Sequence, residues 1–331
     1  MTKINVSVKK KVPQQEQKME ETVKEENIGS ELLEQPAPEG FLETRDDQPI
    51  LDTTVSTKDY EIRFITTVGA LSNLFETIKF LVSDAILKFS PEGLRIRLVD
   101  PGHVAFTYLN LPKDFSMFEE FECLEKELDV IIKPENAVKF LSDSNNKTAK
   151  IEVKKLKNDS MLYLNEIEEI VVSGKKRLKV NDTWALHQVE TIAENPWTKT
   201  LKTFDYAIRM VLPTKDILKA LTKHQQVSGE VKFIITPDKI LLKTKSDLGI
   251  GNTPLRSQGD ARVKDFKLIK PLQDGKFELS FELKFLFELL SSGNRFAEWF
   301  VLEVGNNMPL HISYIMPKGT YEQWQVARII E

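Results

Sequence analysis

Asp100 and His103 are the two side chains whose types and spacing could support acid–base chemistry. They belong to the segment Asp100-Pro101-Gly102-His103, in which proline lacks an amide donor and glycine tolerates positive φ, so a surface loop is predicted. A carboxylate beside a histidine could serve a hydrolase, but no serine or cysteine nucleophile motif accompanies this pair. A hydrogen bond within the loop is therefore the better interpretation, and the sequence predicts no enzyme.

Other residues that could hold a metal, a nucleotide or a disulfide do not form the required patterns. His187, His224 and His311 lack the spacing of a metal site. Gly249-Ile250-Gly251 lacks the third glycine and the following helix of a nucleotide fingerprint, so a hairpin turn is predicted. The single Cys123 cannot form an internal disulfide, and a lone buried thiol fits a reducing compartment. The sequence thus predicts neither metal nor cofactor.

Composition indicates a globular chain with an acidic leading segment. The chain has 331 residues, of which 41% are hydrophobic, enough for two domains of ordinary size. Residues 1–58 hold 8 of the 46 basic and 12 of the 50 acidic residues, so this segment carries the whole net charge of −4. It is polar and proline-containing, and we predict a disordered tail. We find no apolar run of about 18 residues, so no membrane partner is predicted.

An internal repeat in the sequence predicts where the strands and helices lie. Tyr60-Glu61-Ile62-Arg63-Phe64 resembles Tyr206-Ala207-Ile208-Arg209-Met210, and Ser90-Pro91-Glu92-Gly93-Leu94 resembles Thr236-Pro237-Asp238-Lys239-Ile240, both at a displacement of 146 residues. Each half reads as strand, helix, several strands, helix, several strands. The predicted fold class is therefore α+β, with two similar domains of antiparallel sheet and two helices each.

The domain limits follow from this repeat. We expect an N-terminal domain at 59–187, an extended connector at 188–205 that contains Pro196, and a C-terminal domain at 206–331. Helices are expected from Pro134 to Leu141 and from Glu282 to Leu290, and a strand from Val104 to Leu109.

A basic stripe is predicted on the helix that follows Pro213. Lys215, Lys219 and Lys223 are spaced four residues apart and so share one helix face. Such a face could contact phosphates, although an ordinary solvated surface is the competing interpretation.

Several segments together resemble the proliferating cell nuclear antigen family, the DNA sliding clamps of archaea and eukaryotes. The resemblance covers about residues 59–331, and its most specific part is Asp-x-x-His-Val after a Gly-Leu strand. The segments that carry it are Gly93 to Leu109, the connector, the helix opening at Pro213, Met308 to Tyr314, and Trp324 to Glu331. The resemblance implies that the chain is one third of a ring, with helices lining a hole that holds duplex DNA.

The resemblance also implies three sets of site residues. The DNA-facing set is Lys79, Lys139, Lys215, Lys219, Lys223 and Lys284. The client-binding set is Val99, His103, Val104, Phe106, Val189, Ile192, Trp197, Leu201, Met308, Pro309, Val326, Ala327 and Arg328. The subunit-interface set is Arg177, Leu178, Val180 and Leu255, on strands that are expected to pair edge to edge between subunits. Trp197 has two interpretations: a packing anchor if it is buried, or a client contact if it is exposed.

Departures from the family pattern bear on these sets. Ser72, Asn73 and Thr222 stand where relatives carry basic residues, so the hole is expected to be less positive than usual. Arg328 stands where the family commonly has proline, which could alter client preference.

The implied function is that of a polymerase processivity factor in DNA replication and repair. Expected partners are duplex DNA, a clamp loader, DNA polymerase, flap nuclease, ligase and two further copies or paralogues of the chain. The alternatives are a paralogous clamp for checkpoint signalling or viral late transcription and, from the residues alone, the small hydrolase. The expected location is the nucleus in a eukaryote and the cytoplasmic nucleoid in an archaeon.

Overall fold

A computed structural model of the chain describes residues 50–51, 58–144, 146–192, 194–198, 204–256, 264–272 and 274–327. The chain divides into two units, Met1–Asp47 and Gln48–Glu331, and every described residue belongs to the second. Most of the predicted tail therefore lies outside the described residues, as do two of the predicted client-binding residues, Leu201 and Arg328.

The N-terminal half contains strands and two helices in the predicted order. After the short strand β1 (Ile50–Leu51), the elements are β2 (Tyr60–Thr67), α1 (Val68–Leu81), β3 (Ala85–Ser90), β4 (Gly93–Val99), β5 (Ala105–Pro112), β6 (Glu120–Cys123), β7 (Leu128–Ile132), α2 (Pro134–Asp143), β8 (Lys150–Leu156), β9 (Met161–Val172) and β10 (Lys175–His187).

The C-terminal half repeats this order. Its elements are β11 (Ile208–Pro213), α3 (Thr214–Gln225), β12 (Glu230–Thr236), β13 (Lys239–Ser246), β14 (Gly249–Arg256), β15 (Asp265–Leu268), β16 (Phe277–Glu282), α4 (Leu283–Asn294), β17 (Trp299–Val304), β18 (Leu310–Tyr314) and β19 (Thr320–Gln325). The predicted α+β class, with two similar halves of antiparallel sheet, is confirmed. Strand for strand, β5 corresponds to β14 and β10 corresponds to β19.

Three antiparallel sheets arise from this repeat. The N-terminal half forms a sheet in the order β1-β10-β9-β8-β2-β6, and the C-terminal half forms one in the order β14-β13-β12-β16. The third sheet joins the halves in the order β15-β11-β17-β18-β19-β5-β4-β3-β7, through pairing of β19 with β5. The joint between the halves is therefore a continuous sheet.

The helices form through amphipathic patterns and pack against the sheets. In α1 the side chains of Val68, Leu71, Leu74 and Ile78 are buried at helical spacing, and Thr67 caps the helix by accepting a hydrogen bond from the amide of Ala70 at 3.2 Å. Helix α1 packs against α2, α3 against α4, and α1 also contacts α4. These helices thus form one layer whose outer face is open to solvent.

Some element limits differ from the sequence-based expectation. Helix α2 continues to Asp143, two residues beyond its last buried side chain, Leu141. Helix α4 continues to Asn294, because Ser292 and Gly293 are still buried along the same face. The strand expected at Val104 begins one residue later and runs to Pro112. The glycines expected to form a hairpin turn instead begin β14, and the described part of the connector contains a short 3₁₀ turn, Pro196–Thr198, where an extended chain was expected.

Among the described helices, none is long and apolar enough to cross a membrane.

Candidate nucleic-acid and partner interfaces

The basic stripe of α3 lies on the solvent side of the helix layer. Lys215, Lys219 and Lys223 are exposed, while Ile217 and Leu221 between them are buried against the sheet. Asp216 is the one acidic residue of this helix. Three cations therefore line one exposed face with a single carboxylate near its start, and such a face can bind phosphates without reading base sequence.

The other predicted DNA-facing lysines are isolated. Lys79 on α1, Lys139 on α2 and Lys284 on α4 are all exposed on the helix layer. Lys139 forms an ion pair with Glu135 one turn earlier, at 3.3 Å. The rings of Phe80 and Phe285 lie 5.2 Å apart and join α1 to α4, so the lysines of both halves share one layer. The positive charge of this layer is concentrated on α3.

Asp100 has a structural role in the loop between β4 and β5. Its carboxylate is buried and accepts hydrogen bonds from the amides of Gly102, at 2.9 Å, and Ala105. The His103 backbone has a positive φ of 54°, and its imidazole Nε2 lies 3.3 Å from a carboxylate oxygen of Glu194 in the connector. Asp100 and His103 therefore have different partners: Asp100 binds amides of its own loop, and His103 lies beside Glu194. This geometry favours the loop hydrogen bond over the hydrolase interpretation.

A row of side chains crosses the outer face of the nine-stranded sheet beside this loop. Directly opposed on neighbouring strands are Val99 with Phe106, Phe106 with Trp324, Trp324 with His311, and His311 with Glu303. The ring centroids of Phe106 and Trp324 are 5.3 Å apart, and those of Trp324 and His311 are 4.7 Å apart. We name these five residues the joint row, because it passes over the β5–β19 joint.

Polar contacts fix the C-terminal end of the joint row. His311 donates from Nδ1 to Glu303 at 2.7 Å, and this hydrogen bond holds the pKa of the Glu303 carboxyl below its usual range. Tyr206 stacks on His311 with a centroid distance of 5.7 Å, and burial raises the pKa of its phenol. The stacked ring of Tyr206 and the carboxylate of Glu303 therefore fix the position of the His311 ring on this surface.

The predicted client-binding residues border the joint row. The amide of Val326 donates to the carbonyl of Val104 at 2.8 Å, and both side chains are exposed. Ala327 packs partly on the core, and Met308 and Pro309 are half-buried. A shallow apolar surface therefore spans the joint, with its exposed valines contributed by both halves.

The described part of the connector lies against the N-terminal half. The amide of Val189 donates to the carbonyl of Ile131 at 2.9 Å, and Ile192 is half-buried. The half-buried ring of Trp197 lies 4.7 Å from the guanidinium carbon of Arg97 and 5.1 Å from the ammonium of Lys88. These cation–π contacts, which fix the turn Pro196–Thr198 to β3 and β4, support the interpretation of Trp197 as a packing anchor.

The predicted subunit-interface residues lie on two different sheets, on β10, whose outer neighbour is the two-residue β1, and on the edge strand β14. Arg177, Leu178 and Val180 are half-buried on β10. Leu255 on β14 is only 8% exposed and belongs to the core, so its backbone alone can meet another chain. The apolar side chains that β14 and its hairpin expose are Leu248, at 84%, and Ile250, at 61%.

A buried histidine ties β14 to the basic helix. His224 near the end of α3 is 2% exposed; its Nδ1 lies 2.9 Å from the hydroxyl of Thr244 on β13 and its Nε2 lies 3.0 Å from that of Thr253 on β14. Burial lowers the pKa of His224, which keeps the ring neutral and able to accept one of these hydrogen bonds.

Sequence reasoning did not assign Trp324, His311, Leu248 or Ile250 to a site. The first two could be found from the alternation along β18 and β19, because residues two apart in a strand share one face. Leu248 and Ile250 flank a glycine in a hairpin. Nothing in the neighbouring sequence indicates whether these two side chains are exposed or buried.

Comparison with known proteins gives consistent results. The family model for the proliferating cell nuclear antigen N-terminal domain matches residues 60–183. The DNA polymerase sliding clamp of Methanococcoides burtonii is 24% identical over 75% of this chain and 90% of its own length. DNA polymerase sliding clamp 3 of Sulfurisphaera tokodaii is 24% identical over 78% of this chain and 95% of its own length.

Solved structures share the fold. Proliferating cell nuclear antigen from Entamoeba histolytica superimposes with a TM-score of 0.66 at 16% identity, over 82% of this chain and all of that one. The Thermococcus kodakaraensis protein gives a TM-score of 0.65 at 17% identity, over 81% of this chain and 100% of its own. The matched N-terminal domain, the relatives along three quarters of the chain and the shared fold make the chain similar to the sliding clamps of the proliferating cell nuclear antigen family.

Proposed function

We propose that the chain is a DNA polymerase processivity factor, and that three copies close into a ring around duplex DNA. In this proposal residues 59–187 and 206–331 are the two clamp domains of each subunit, and residues 188–205 connect them. The observation that carries the proposal is the pairing of β19 with β5. Of the two strands that correspond to them, β14 ends one outer sheet, and β10 ends the other apart from the two-residue strand β1.

The repeat indicates how the ring would close. The last strand of the C-terminal half pairs with the fourth strand of the N-terminal half inside one chain. By the same rule, β10 of one chain would pair with β14 of the next, continuing a sheet across each subunit boundary. Closure would remove both long edges and would cover Leu248 and Ile250, two apolar side chains that the single chain leaves exposed.

The helix layer would then form the inner wall of the ring. Six exposed lysines in each chain, at positions 79, 139, 215, 219, 223 and 284, would approach the phosphates, with α3 contributing most of the charge. Encirclement retains DNA by topology, so weak contacts that carry no base information permit sliding. The closed ring would therefore stay on DNA at salt concentrations that abolish purely electrostatic binding to phosphates.

The surface around the joint row would receive client proteins. Val104 and Val326 are exposed, Phe106 and Met308 are half-buried, and the connector runs alongside. A short client segment would gain affinity by burying a few apolar anchors there. The expected clients are DNA polymerase, flap nuclease and ligase, with a clamp loader that opens the ring.

The relatives are named DNA polymerase sliding clamps, which favours a role with a polymerase over checkpoint signalling or late transcription. A pull-down with the purified chain from its native cells tests the choice. We expect recovery of a replicative polymerase and a clamp loader, both weakened by a Val104→Asp substitution, with Val171→Asp, at an exposed valine on β9, as the matched control. Recovery of transcription or checkpoint proteins without a polymerase would overturn the replication role.

A further inference from the structure

The edge of β10 that a neighbouring subunit needs already has an occupant. Strand β1 lies antiparallel to β10, with Ile50 opposite Lys179 and Leu51 opposite Leu178. The other edge of β10 is paired with β9 along its length. Strand β1 therefore lies on the outer edge, within the stretch from Arg177 to Val180 that is expected to meet β14 of the next chain.

We propose that the N-terminal segment acts as an intramolecular latch: β1 occupies the assembly edge of β10 and competes with β14 of a neighbouring subunit. This inference rests on the proposed ring, since competition requires a second strand for the same edge. The partner of the β10 edge before assembly is thus the chain's own residues Ile50 and Leu51.

The lengths of the strands make the latch displaceable. Strand β1 has two residues, whereas β14 has eight and β10 has thirteen. A neighbour can therefore begin pairing along the uncovered part of β10 and then displace β1. Against this, a tethered strand acts at an effective concentration on the order of millimolar, far above the concentration of free subunits.

Charge favours the latch over the neighbour. Strand β10 begins with Lys175, Lys176 and Arg177, and Lys179 follows. The sequence around β1 is acidic, with Asp46, Asp47 and Asp52, whereas β14 carries a single charged residue, Arg256. Positive charge on β10 disfavours non-specific strand pairing and favours pairing with an acidic segment.

The latch can be tested in the full chain with the double substitution Ile50→Pro and Leu51→Pro. Proline removes the amide donors of β1 but leaves the length and charge of the segment unchanged. The matched control is Thr22→Pro with Val23→Pro, which alters the same segment away from β1. Hydrogen exchange of β10 is measured at a concentration where the chain is monomeric, and assembly is followed by sedimentation velocity over a concentration series.

We expect the Ile50→Pro, Leu51→Pro chain to lose exchange protection around Leu178 and Lys179, and to assemble at about tenfold lower concentration than the unaltered chain. The control should match the unaltered chain in both measurements. Unchanged protection overturns the pairing of β1, and lost protection with unchanged assembly overturns the competition. If no chain assembles at any concentration, the ring itself fails together with the competition, and the exchange data still report separately whether β1 pairs with β10.

Discussion

The molecule contains one complete junction between sheets, β5 with β19, and the two strands that correspond to it, β10 and β14, which are not paired with each other. Inside the chain, β19 and β5 are paired over six residue pairs, from Gln325 opposite Ala105 to Thr320 opposite Asn110, and the joint row covers them. At the ends of the two outer sheets, the outward edges of the corresponding strands β10 and β14 have no such partner among the described residues, apart from the two residues of β1 on β10. The repeat therefore completes one strand junction within the chain and leaves the equivalent junction to be formed by association of two chains. Stability should therefore depend on the inner joint, and assembly on the outer edges.

The largest effect is expected from a substitution that separates the strands of the inner joint. Gly319 has a φ of +79°, and an added Cβ would lie 2.3 Å from the carbonyl oxygen of Asn110 on β5. Gly319→Ala should lower the free energy of unfolding by about 3 to 5 kcal/mol, measured by denaturant titration.

Gly174 provides the matched control for that substitution. Its φ is +76°, but no described atom lies within 4 Å of the Cβ that alanine would add. Gly174→Ala should cost only the conformational term, about 1 to 2 kcal/mol. Equal losses in the two variants would show that close approach at the joint does not limit stability.

The second effect separates assembly from stability. Ile250 is 61% exposed on β14, and Ile315, at 50%, is comparably exposed in the loop after β18. Ile250→Asp should raise the concentration needed for assembly about a hundredfold, because ring closure would bury the new carboxylate. The unfolding temperature should not change.

Ile315→Asp should alter neither the assembly nor the unfolding temperature. A comparable loss of assembly in this control, measured by sedimentation, would mean that β14 is not the assembly edge.

The third effect sharpens the contrast between α3 and the other helices. Replacing Lys215, Lys219 and Lys223 with glutamine should weaken binding of the ring to DNA about tenfold. It should also reduce the slope of log binding constant against log salt, by up to about 0.9 for each phosphate that the protein no longer neutralises. Lys139→Gln serves as the control, because this lysine already pairs with Glu135. Equal effects of the triple and single variants on fluorescence-detected DNA binding would contradict a dominant α3.

The smallest effect is a pH dependence at the outer edge. Burial lowers the pKa of His224 from its ordinary 6.5, so the unfolded chain binds the proton more tightly than the folded chain. The stabilising contribution is present in full above pH 6.5 and is lost as the pH falls through the folded pKa. It amounts to about 1.4 kcal/mol for each unit by which the pKa is lowered.

A His224→Gln variant cannot titrate at this position. Its unfolding temperature should fall less between pH 7.5 and pH 5 than that of the unaltered chain. Parallel curves for the two proteins would show that His224 does not account for the acid sensitivity.

Local patterns in the sequence were sufficient for the repeat, the helices and the basic stripe. The spacing of Val68, Leu71, Leu74 and Ile78, for example, determines a helix face without reference to distant residues. The positions of the client-binding and interface sets came from the family resemblance. They remain predictions, because neither the fold nor the relatives test individual residues.

Long-range pairing could not be predicted in the same way. Leu255 was expected at an interface, but its side chain points into the core because strand alternation depends on register with β13. Gly293 lies within α4, and only glycine fits there because the ring of Tyr314, which is distant in the sequence, occupies the space of a Cβ. The contact of Trp197 with Arg97 and the pairing of β1 with β10 likewise join residues far apart in the sequence.

The central claim is that the chain closes into a ring that retains DNA by encirclement. The most direct measurement loads the protein onto a nicked circular plasmid with its clamp loader, removes unbound protein in high salt, and then cuts the plasmid once. We expect the protein to stay on the circle through the salt wash and to be released when the DNA becomes linear. Loss from the intact circle in salt, or retention on the linear form, would contradict it.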